Sequence, residues 1–441
     1  MKKILITSLS ILILIVAFSG KVQSQKNKDT ADKDDDEWMS TGDHGTPGTW
    51  TATIYHEKIH IRFAGLHWNW GRTFLLSELG TLPSGKDGEF SLTREAGTLS
   101  LKGAFNNDRG HGTYHFEENA SFKSYLAQQG FSTISNELMI NIFFTDINKN
   151  YFEFLKSNGY ATISKGQLKD LAYQDVNHKV LQEYFDLFKK ENYTNVSLDK
   201  IIELREHGVD AAFISSFHEM GYNNFSLDKA QELRDHGVDP DFINSFKDMG
   251  YKDISLDRAI DLRDHGVSPE YITEIQKAGY KDVSLEKAQE LRDHGVSTDY
   301  INEFHEMGYK DISLERAQEL RDHGVSTDYI SDFQKMGYKD ISLEKAQELK
   351  DHGVSTDYIR SFIKMGYKDI SLEEAQQLRD HGVSPDFIKD FNDIGFKDIS
   401  LEKAQELRDR GLSASYIKKM RKKGINNLSL EEYLRLRDSG M

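Results

Sequence analysis

The sequence predicts an α+β protein of several domains, in which a small antiparallel β domain precedes an αα-hairpin solenoid of about ten 29-residue repeats. First, a Gly-Tyr pair or a close variant returns every 29 residues from residue 130, with one interval of 33. Second, all four tryptophans and several alternating apolar and polar stretches lie before that point. Together with an apolar N-terminus, these observations predict four segments: a signal peptide (1–24), a charged linker (25–37), the β domain (38–125) and the solenoid (126–441).

The N-terminus has the pattern of a secretory signal. Lys2 and Lys3 precede a largely apolar run over residues 4–18, and small residues suited to cleavage follow at Ser19 and Ser24. The run is shorter than the about 20 residues that a membrane-spanning helix needs. We therefore expect a cleaved signal and an exported protein, periplasmic or extracellular, that is not an integral membrane protein; a retained anchor is the alternative. The chain has no cysteine, so packing must hold it without disulfides.

One repeat, residues 283–309, shows why the pattern predicts two short helices. Ser284 and Ser297 stand where N-caps are expected, and Gly295 and Gly308 can end the helices in the left-handed conformation. Apolar residues recur at helical spacing, with Leu285, Ala288 and Leu291 on the first helix and Tyr300, Ile301 and Phe304 on the second. Helices this short are unstable alone in water, so successive repeats must stack and bury their apolar layers.

A histidine recurs immediately before the glycine that ends the first helix. The positions are His207, His236, His265, His294, His323, His352 and His381, and Arg410 takes the eighth place. A metal site or a pH sensor is one interpretation. Equivalent positions in stacked repeats lie about 10 Å apart, whereas the ligands of one zinc ion each lie about 2 Å from it. Arg410 suits a helix C-terminus and not metal ligation, so we interpret the row as helix capping.

The β domain contains the stretch YHEKIH, in which His56, Glu57 and His60 match the H-E-x-x-H signature of zinc hydrolases. That signature requires a helix. Here the apolar residues stand at even positions before residues 56–58 and at odd positions after them. Two strands joined by a tight turn would show this change. A third ligand is missing at the expected spacing. We therefore expect a β-hairpin in a domain of five to seven strands, and no metal; a zinc hydrolase remains a second alternative.

Two sets of residues are candidates for binding. The segment HWNWGRTF places Trp68, Trp70 and Arg72 in alternation, which suits a sugar-stacking or peptide-binding surface, with core packing as the competing interpretation. In the repeats, the first helices are nearly identical while exposed positions of the second helices vary, as a binding face or neutral drift would produce. In the repeat described above, these variable positions are Asn302, Glu303, His305 and Glu306.

Charge and motifs argue against several classes of function. The formal net charge is −16, which disfavours a nucleic-acid-binding protein. The sequence contains no Gly-rich phosphate loop, nucleophile elbow or Cys/His site, so we expect no catalytic residue and no cofactor.

The β domain contains the segments WGRTFLLSEL, FSLTREAGTLSLKGAF and GHGTYHFEENASF, and units of the pattern GY-x-x-(I/V/L)-S-L-E and L-R-x-H-G-V follow them. In this combination the chain resembles a group of exported bacterial proteins. Similar regions also occur as C-terminal extensions of membrane metallopeptidases of the BlaR/MecR antibiotic-sensor type. The resemblance covers about residues 49–441 and implies an extracytoplasmic sensing or interaction role. The peptidase part of those proteins has no counterpart in this sequence, so no catalytic residue carries over.

These observations predict an exported, non-enzymatic scaffold that binds a protein or peptide partner along its helical repeats. The alternative is carbohydrate or cell-wall binding by the β domain, with the solenoid as a spacer. The sequence leaves the identity of the partner and the oligomeric state open.

Overall fold

The computed structural model describes residues 48–64 and 69–440, and in these ranges a six-stranded antiparallel sheet precedes 22 helices in a regular repeating pattern. This confirms the α+β class and the helical solenoid that the sequence predicts. The chain forms two compact units, of which unit 1 ends at His178 and unit 2 begins at Lys179. The predicted signal peptide and charged linker lie outside the described residues.

Unit 1 begins with six strands. Their bounds are β1 Gly48–Tyr55, β2 Lys58–Ala64, β3 Asn69–Leu75, β4 Gly88–Arg94, β5 Gly97–Asn106 and β6 Arg109–Glu118. The order across the sheet is β3-β2-β1-β6-β5-β4, and every neighbouring pair is antiparallel. Hairpins join β1 to β2, β4 to β5 and β5 to β6, and β6 returns to pair with β1 at the centre of the sheet.

One face of the sheet forms the core of unit 1. The inward residues Trp50 on β1 and Ile61 and Phe63 on β2 are at most 1% exposed. Along each strand, the residues that alternate with the inward ones point outward. The Trp50 ring meets Phe90 edge-on at 5.5 Å, and its indole nitrogen donates a hydrogen bond to the Thr113 carbonyl oxygen at 3.0 Å. Apolar and polar residues alternate because successive residues of a strand point to opposite faces of the sheet, and only one of these faces is buried.

Two glycines bring β5 and β6 unusually close together. Gly103 and Gly112 are direct partners in the register of these strands. A Cβ atom on Gly112 would lie 1.9 Å from the Lys102 carbonyl oxygen, and one on Gly103 would lie 2.1 Å from the His111 carbonyl oxygen. Any side chain at either position would push the strands apart, which accounts for glycine in the KGAF and GHGTY segments.

Four helices complete unit 1. Their bounds are α1 Ala120–Gln128, α2 Asn136–Thr145, α3 Lys149–Ser157 and α4 Lys165–Tyr173. Helix α2 covers the inner face of the sheet, where the ring of Phe144 lies 5.5 Å from that of Phe63. Arg94 at the end of β4 donates hydrogen bonds at 2.8 Å to the carbonyl oxygens of both Phe143 and Phe144. Since the last carbonyls of a helix have no partner within it, Arg94 supplies the bonds that join the sheet to this helix.

Unit 2 contains the remaining helices. Their bounds are α5 His178–Lys190, α6 Leu198–Glu206, α7 Ala211–Glu219, α8 Leu227–Asp235, α9 Pro240–Asp248, α10 Leu256–Asp264, α11 Pro269–Lys277, α12 Leu285–Asp293, α13 Thr298–Glu306, α14 Leu314–Asp322, α15 Thr327–Lys335, α16 Leu343–Asp351, α17 Thr356–Lys364, α18 Leu372–Asp380, α19 Pro385–Asn392, α20 Leu401–Asp409, α21 Ala414–Lys422 and α22 Leu430–Asp438. Helix α5, the second helix of its repeat, has 13 residues, whereas its equivalent in the next repeat, α7, has nine. The four extra residues, about one helical turn, explain the single repeat interval of 33.

The repeat formed by α12 and α13 has the predicted caps. The Ser284 hydroxyl accepts a hydrogen bond from the backbone nitrogen of Lys287, and the Ser297 hydroxyl accepts one from that of Tyr300, each at 3.1 Å. Gly295 ends the first helix with φ of 70°, the left-handed region that favours glycine. Serine before each helix and glycine after it therefore define the two-helix unit.

The predicted apolar faces of this repeat are buried. On α12, Ala288 and Leu291 are fully buried, and on α13 Ile301 and Phe304 are fully buried. Val296, between the two helices, is also fully buried. Each repeat thus contributes one apolar layer, and the layers form a continuous core through unit 2.

Candidate functional site

The H-E-x-x-H stretch forms the β1–β2 hairpin. His56 lies in the turn with φ of 54°, and Tyr55 pairs with Lys58 across it. His60 lies on β2, where its Nδ1 is 3.1 Å from the Thr73 hydroxyl oxygen on β3. Among residues 48–64 and 69–440, no group of three or more His, Cys, Asp or Glu side chains could hold a metal ion. The hairpin prediction is confirmed, and the two histidines belong to different elements.

Trp70 and Arg72 lie on the inner side of the edge strand β3, where their register partners are the buried Phe63 and Ile61. The Trp70 ring stacks on Phe63 at 4.5 Å and meets Phe144 of α2 edge-on at 4.2 Å. The guanidinium carbon of Arg72 lies 5.9 Å from the centre of the Trp70 ring. Trp70 is therefore half-buried and packs against the core residues Phe63 and Phe144, which favours the competing interpretation of the sequence, and Arg72 lies beside it.

The third residue of that segment, Trp68, lies outside the described residues.

Histidines connect consecutive repeats. His294 is the C-cap of α12, as the sequence predicts, and its Nδ1 lies 2.7 Å from the Asp322 carboxylate at the end of α14 in the next repeat. The same contact recurs at 2.5 to 2.7 Å in seven pairs, here called the histidine ladder: His207–Asp235, His236–Asp264, His265–Asp293, His294–Asp322, His323–Asp351, His352–Asp380 and His381–Asp409. In the eighth place Arg410 pairs with Asp438. The sequence indicated the cap, and only the stacking of repeats supplied its acidic partner.

A second row of contacts lies near the N-terminal ends of the first helices. Lys287 on α12 reaches into the next repeat, where its Nζ lies 2.9 Å from the Gln318 amide oxygen and 3.5 Å from a Glu315 carboxylate oxygen. The cations that make such contacts, here called the cation ladder, are Lys200, Lys229, Arg258, Lys287, Arg316, Lys345 and Lys403. The side chain of Lys287 is only 19% exposed, so its ammonium group is held between neighbouring carboxylates.

Glu374 interrupts the cation ladder between Lys345 and Lys403. Its position on α18 is the one that lysine or arginine occupies in the preceding repeats. The next repeat presents Glu402 and Gln405 at the corresponding place, and with Glu374 they line a cavity of about 350 Å³. Glu373 also lines this cavity but pairs with Lys345, so Glu374 and Glu402 share the space with no ladder cation between them.

The tyrosine of the Gly-Tyr pair also bonds to the next repeat. The hydroxyl of Tyr309 donates to the Ile341 carbonyl oxygen at 2.5 Å. The equivalent donors and acceptors are Tyr193–Phe225, Tyr222–Ile254, Tyr251–Val283, Tyr280–Ile312, Tyr338–Ile370 and Tyr367–Ile399. The 29-residue period marks these tyrosines in the sequence, but only the stacking of repeats supplies the carbonyl oxygen that each one bonds to.

An arginine near the end of most first helices makes a further link. Arg292 donates from its Nε to the Gly266 carbonyl oxygen at 2.9 Å, and its guanidinium lies 4.6 Å from the centre of the Tyr271 ring. Both partners belong to the preceding repeat. Arginine combines a hydrogen bond with a face-on aromatic contact, which explains its place in the LRDHG segment.

The variable positions of α13 are only partly available to a partner. Asn302 and Glu306 are exposed. The Glu303 carboxylate accepts a hydrogen bond at 2.5 Å from the Thr327 hydroxyl in the next repeat. His305 is half-buried, with its Nε2 3.2 Å from the Tyr280 hydroxyl oxygen of the preceding repeat. Three of the four residues are therefore exposed, but Glu303 is also bonded to the next repeat, and only Asn302 and Glu306 are exposed without such a bond here.

A groove of about 770 Å³ lies between successive Gly-Tyr loops, lined by residues 278–284 and 310–315. Ala278 stands at its edge. Five other repeats have methionine at the equivalent position, at Met220, Met249, Met307, Met336 and Met365. Tyr280 and Ile312 line the groove, and Lys281 and Lys310 are exposed beside it. The smaller side chain of alanine leaves more space here than methionine would.

Comparisons with known protein families, with curated proteins and with solved structures gave no match for this chain. Every helix within the described residues is too short or too polar to cross a membrane.

Proposed function

We propose that this chain is an exported, non-enzymatic interaction protein that binds a protein or peptide partner along the second helices of unit 2. A contrast within each repeat supports this. Polar side chains of the first helices mostly contact the next or the preceding repeat, and they are nearly uniform along the chain. At one position of the second helices the residue changes along the chain, and it is exposed in the repeats that carry Asn302, Arg360 and Lys389. Side chains that stacking does not require can vary to suit a partner.

The groove beside Ala278 offers a place for one apolar side chain of the partner. An extended repeat surface usually contributes many weak contacts, and a few buried apolar side chains carry most of the binding energy. The wall formed by Tyr280 and Ile312 is suited to such a side chain, and the space corresponds to the methionine that other repeats carry. The exposed Asn302 and Glu306 lie on the helix of the following repeat.

Site-specific photo-crosslinking in the full-length protein tests this proposal. A photoreactive residue replaces Asn302 on a second helix or, as the matched control, Glu286 on a first helix, whose side chain is 78% exposed. Cells that export the protein are irradiated, and adducts are identified by mass spectrometry. We expect a discrete protein adduct from position 302 and none from position 286.

The Ala278→Met variant provides the second arm of this experiment. Methionine should refill the groove and weaken the adduct at position 302 without unfolding the protein, since it is the residue that neighbouring repeats use. The proposal fails if second-helix positions give no adduct, or if positions 302 and 286 give the same adducts.

A further inference from the structure

The outer face of the sheet in unit 1 carries a basic patch rich in hydroxyl groups. Thr51 on β1 lies in register between Arg62 on β2 and His111 on β6. One pair of residues further along, Thr53 has Arg109 on β6 as its partner. Arg62, Arg109 and His111 are exposed. These five residues are here called the outer patch.

Sheet geometry gives the spacing of these groups. Arg62 and His111 lie two strands apart, which corresponds to about 10 Å, and Arg109 and His111 lie about 7 Å apart along β6. The threonine hydroxyls lie between the basic groups. Tyr55, at the end of β1, is 67% exposed and on the same face. The outer patch therefore presents well-separated cations and hydroxyls, with one exposed aromatic ring beside it.

Among the described residues, the two arginines of the outer patch have no acidic partner. Ion pairs within the described part of unit 1 involve other cations, and neither Arg62 nor Arg109 takes part in one. The nearest acidic residues along the chain are Glu57 and Asp108, which lie in the turns of two hairpins. By contrast, the cation ladder of unit 2 is paired with carboxylates throughout. In a protein with a net charge of −16, unpaired guanidinium groups on one face indicate an anionic ligand.

We propose that the outer patch binds an acidic polysaccharide, with its carboxylates on Arg62 and Arg109 and its hydroxyls on Thr51 and Thr53. A guanidinium group binds a carboxylate through two parallel hydrogen bonds, which gives direction as well as charge. Threonine hydroxyls can both donate to and accept from sugar hydroxyls. Cations that are separated by hydroxyl groups suit an extended polymer whose charges are spaced apart by neutral groups.

Nucleic acid fits this surface less well. A nucleic-acid backbone has a high density of negative charge, and proteins that bind it usually neutralise many phosphates with a large basic area. Here two arginines lie in a strongly acidic protein, which would repel a densely charged polymer. This binding surface lies in unit 1 and is separate from the partner surface proposed for unit 2, so each can fail without the other.

Affinity electrophoresis of the full-length protein tests the proposal. Gels contain polygalacturonate as the acidic polysaccharide, neutral dextran, or single-stranded DNA. The variant Arg62→Gln/Arg109→Gln is compared with Lys339→Gln/Lys368→Gln, which removes the same charge from exposed loops of unit 2. Circular dichroism in the near-ultraviolet confirms that Trp50 keeps its packed environment in each variant.

We expect polygalacturonate to retard the wild type at low salt and the lysine variant to bind equally well. The arginine variant should bind at least about tenfold more weakly, which corresponds to the loss of one strong charge-assisted contact or more. The proposal is overturned if the wild type is not retarded, or if both double variants lose affinity equally. It is also overturned if DNA or dextran retards the wild type as strongly as polygalacturonate does.

Discussion

Replacing Glu374 by lysine should stabilise unit 2, because it restores the missing cation of the cation ladder. The preceding ladder member shows the geometry to expect. Lys345 lies 2.9 Å from the Gln376 amide oxygen and 3.5 Å from a Glu373 carboxylate oxygen in the next repeat, and its side chain is 19% exposed. A lysine at position 374 would meet Glu402 in the same way.

The expected gain can be worked out from these contacts. A partly exposed ion pair contributes about 0.2–1 kcal/mol, and removing one of two facing carboxylates contributes a similar amount because like charges repel. Together these effects predict that Glu374→Lys raises the free energy of unfolding by about 1 kcal/mol. The gain should decrease in about 1 M salt, where the Debye length falls to about 3 Å.

Urea unfolding followed by far-ultraviolet circular dichroism at low and high salt measures the change. Hydrogen exchange across residues 366–409 shows whether protection increases at this interface. Two variants serve as controls: Glu374→Gln, which removes the repulsion without adding a cation, and Lys345→Glu, which creates a second interruption and should destabilise. The reasoning is refuted if Glu374→Lys is neutral or destabilising at low salt, or if its effect does not depend on salt.

Three other predictions concern single contacts. Tyr309→Phe removes the hydrogen bond to the Ile341 carbonyl oxygen and should cost about 1 kcal/mol in urea unfolding; an unchanged midpoint would show that this bond contributes nothing. Gly112→Ala places a Cβ atom 1.9 Å from the Lys102 carbonyl oxygen and should cost more than about 2 kcal/mol, measured by tryptophan fluorescence; wild-type stability would contradict the close approach of β5 and β6. Burial raises the pKa of Tyr271 from 10.0 to about 12. The stability that depends on its protonated hydroxyl is therefore complete below pH 10 and is lost as the pH rises towards 12. In alkaline unfolding, Tyr271→Phe should make the decrease of the free energy of unfolding with pH less steep.

The repeats were predictable because their signals are local. Ser284 marks the start and Gly295 the end of a helix, through local geometry and contacts with residues only a few positions away. The same contacts can form in any chain that carries the same segment. The hairpin at His56 was predictable for a similar reason, since the change of apolar parity across a turn is visible in a short window of sequence.

The candidate residues for binding were less predictable, because their availability depends on neighbours distant in sequence. Trp70 alternates with Arg72 as a surface residue could, but α2 brings Phe144 against its ring from 74 positions away. Glu303 looked like a variable surface position, and its carboxylate accepts a hydrogen bond from Thr327 in the next repeat.

By itself, the sequence determined the two-helix repeat, its length, its caps and its apolar faces, because propensity, capping and periodicity act within a few residues of the chain. It also determined that a β domain precedes the repeats. Only the tertiary structure decided which polar residues are engaged and which are free. The partners of His294, Lys287 and Tyr309 lie about one repeat away, and the outer patch exists only where β2, β1 and β6 lie side by side. Such contacts depend on stacking and strand order, which the local pattern does not encode.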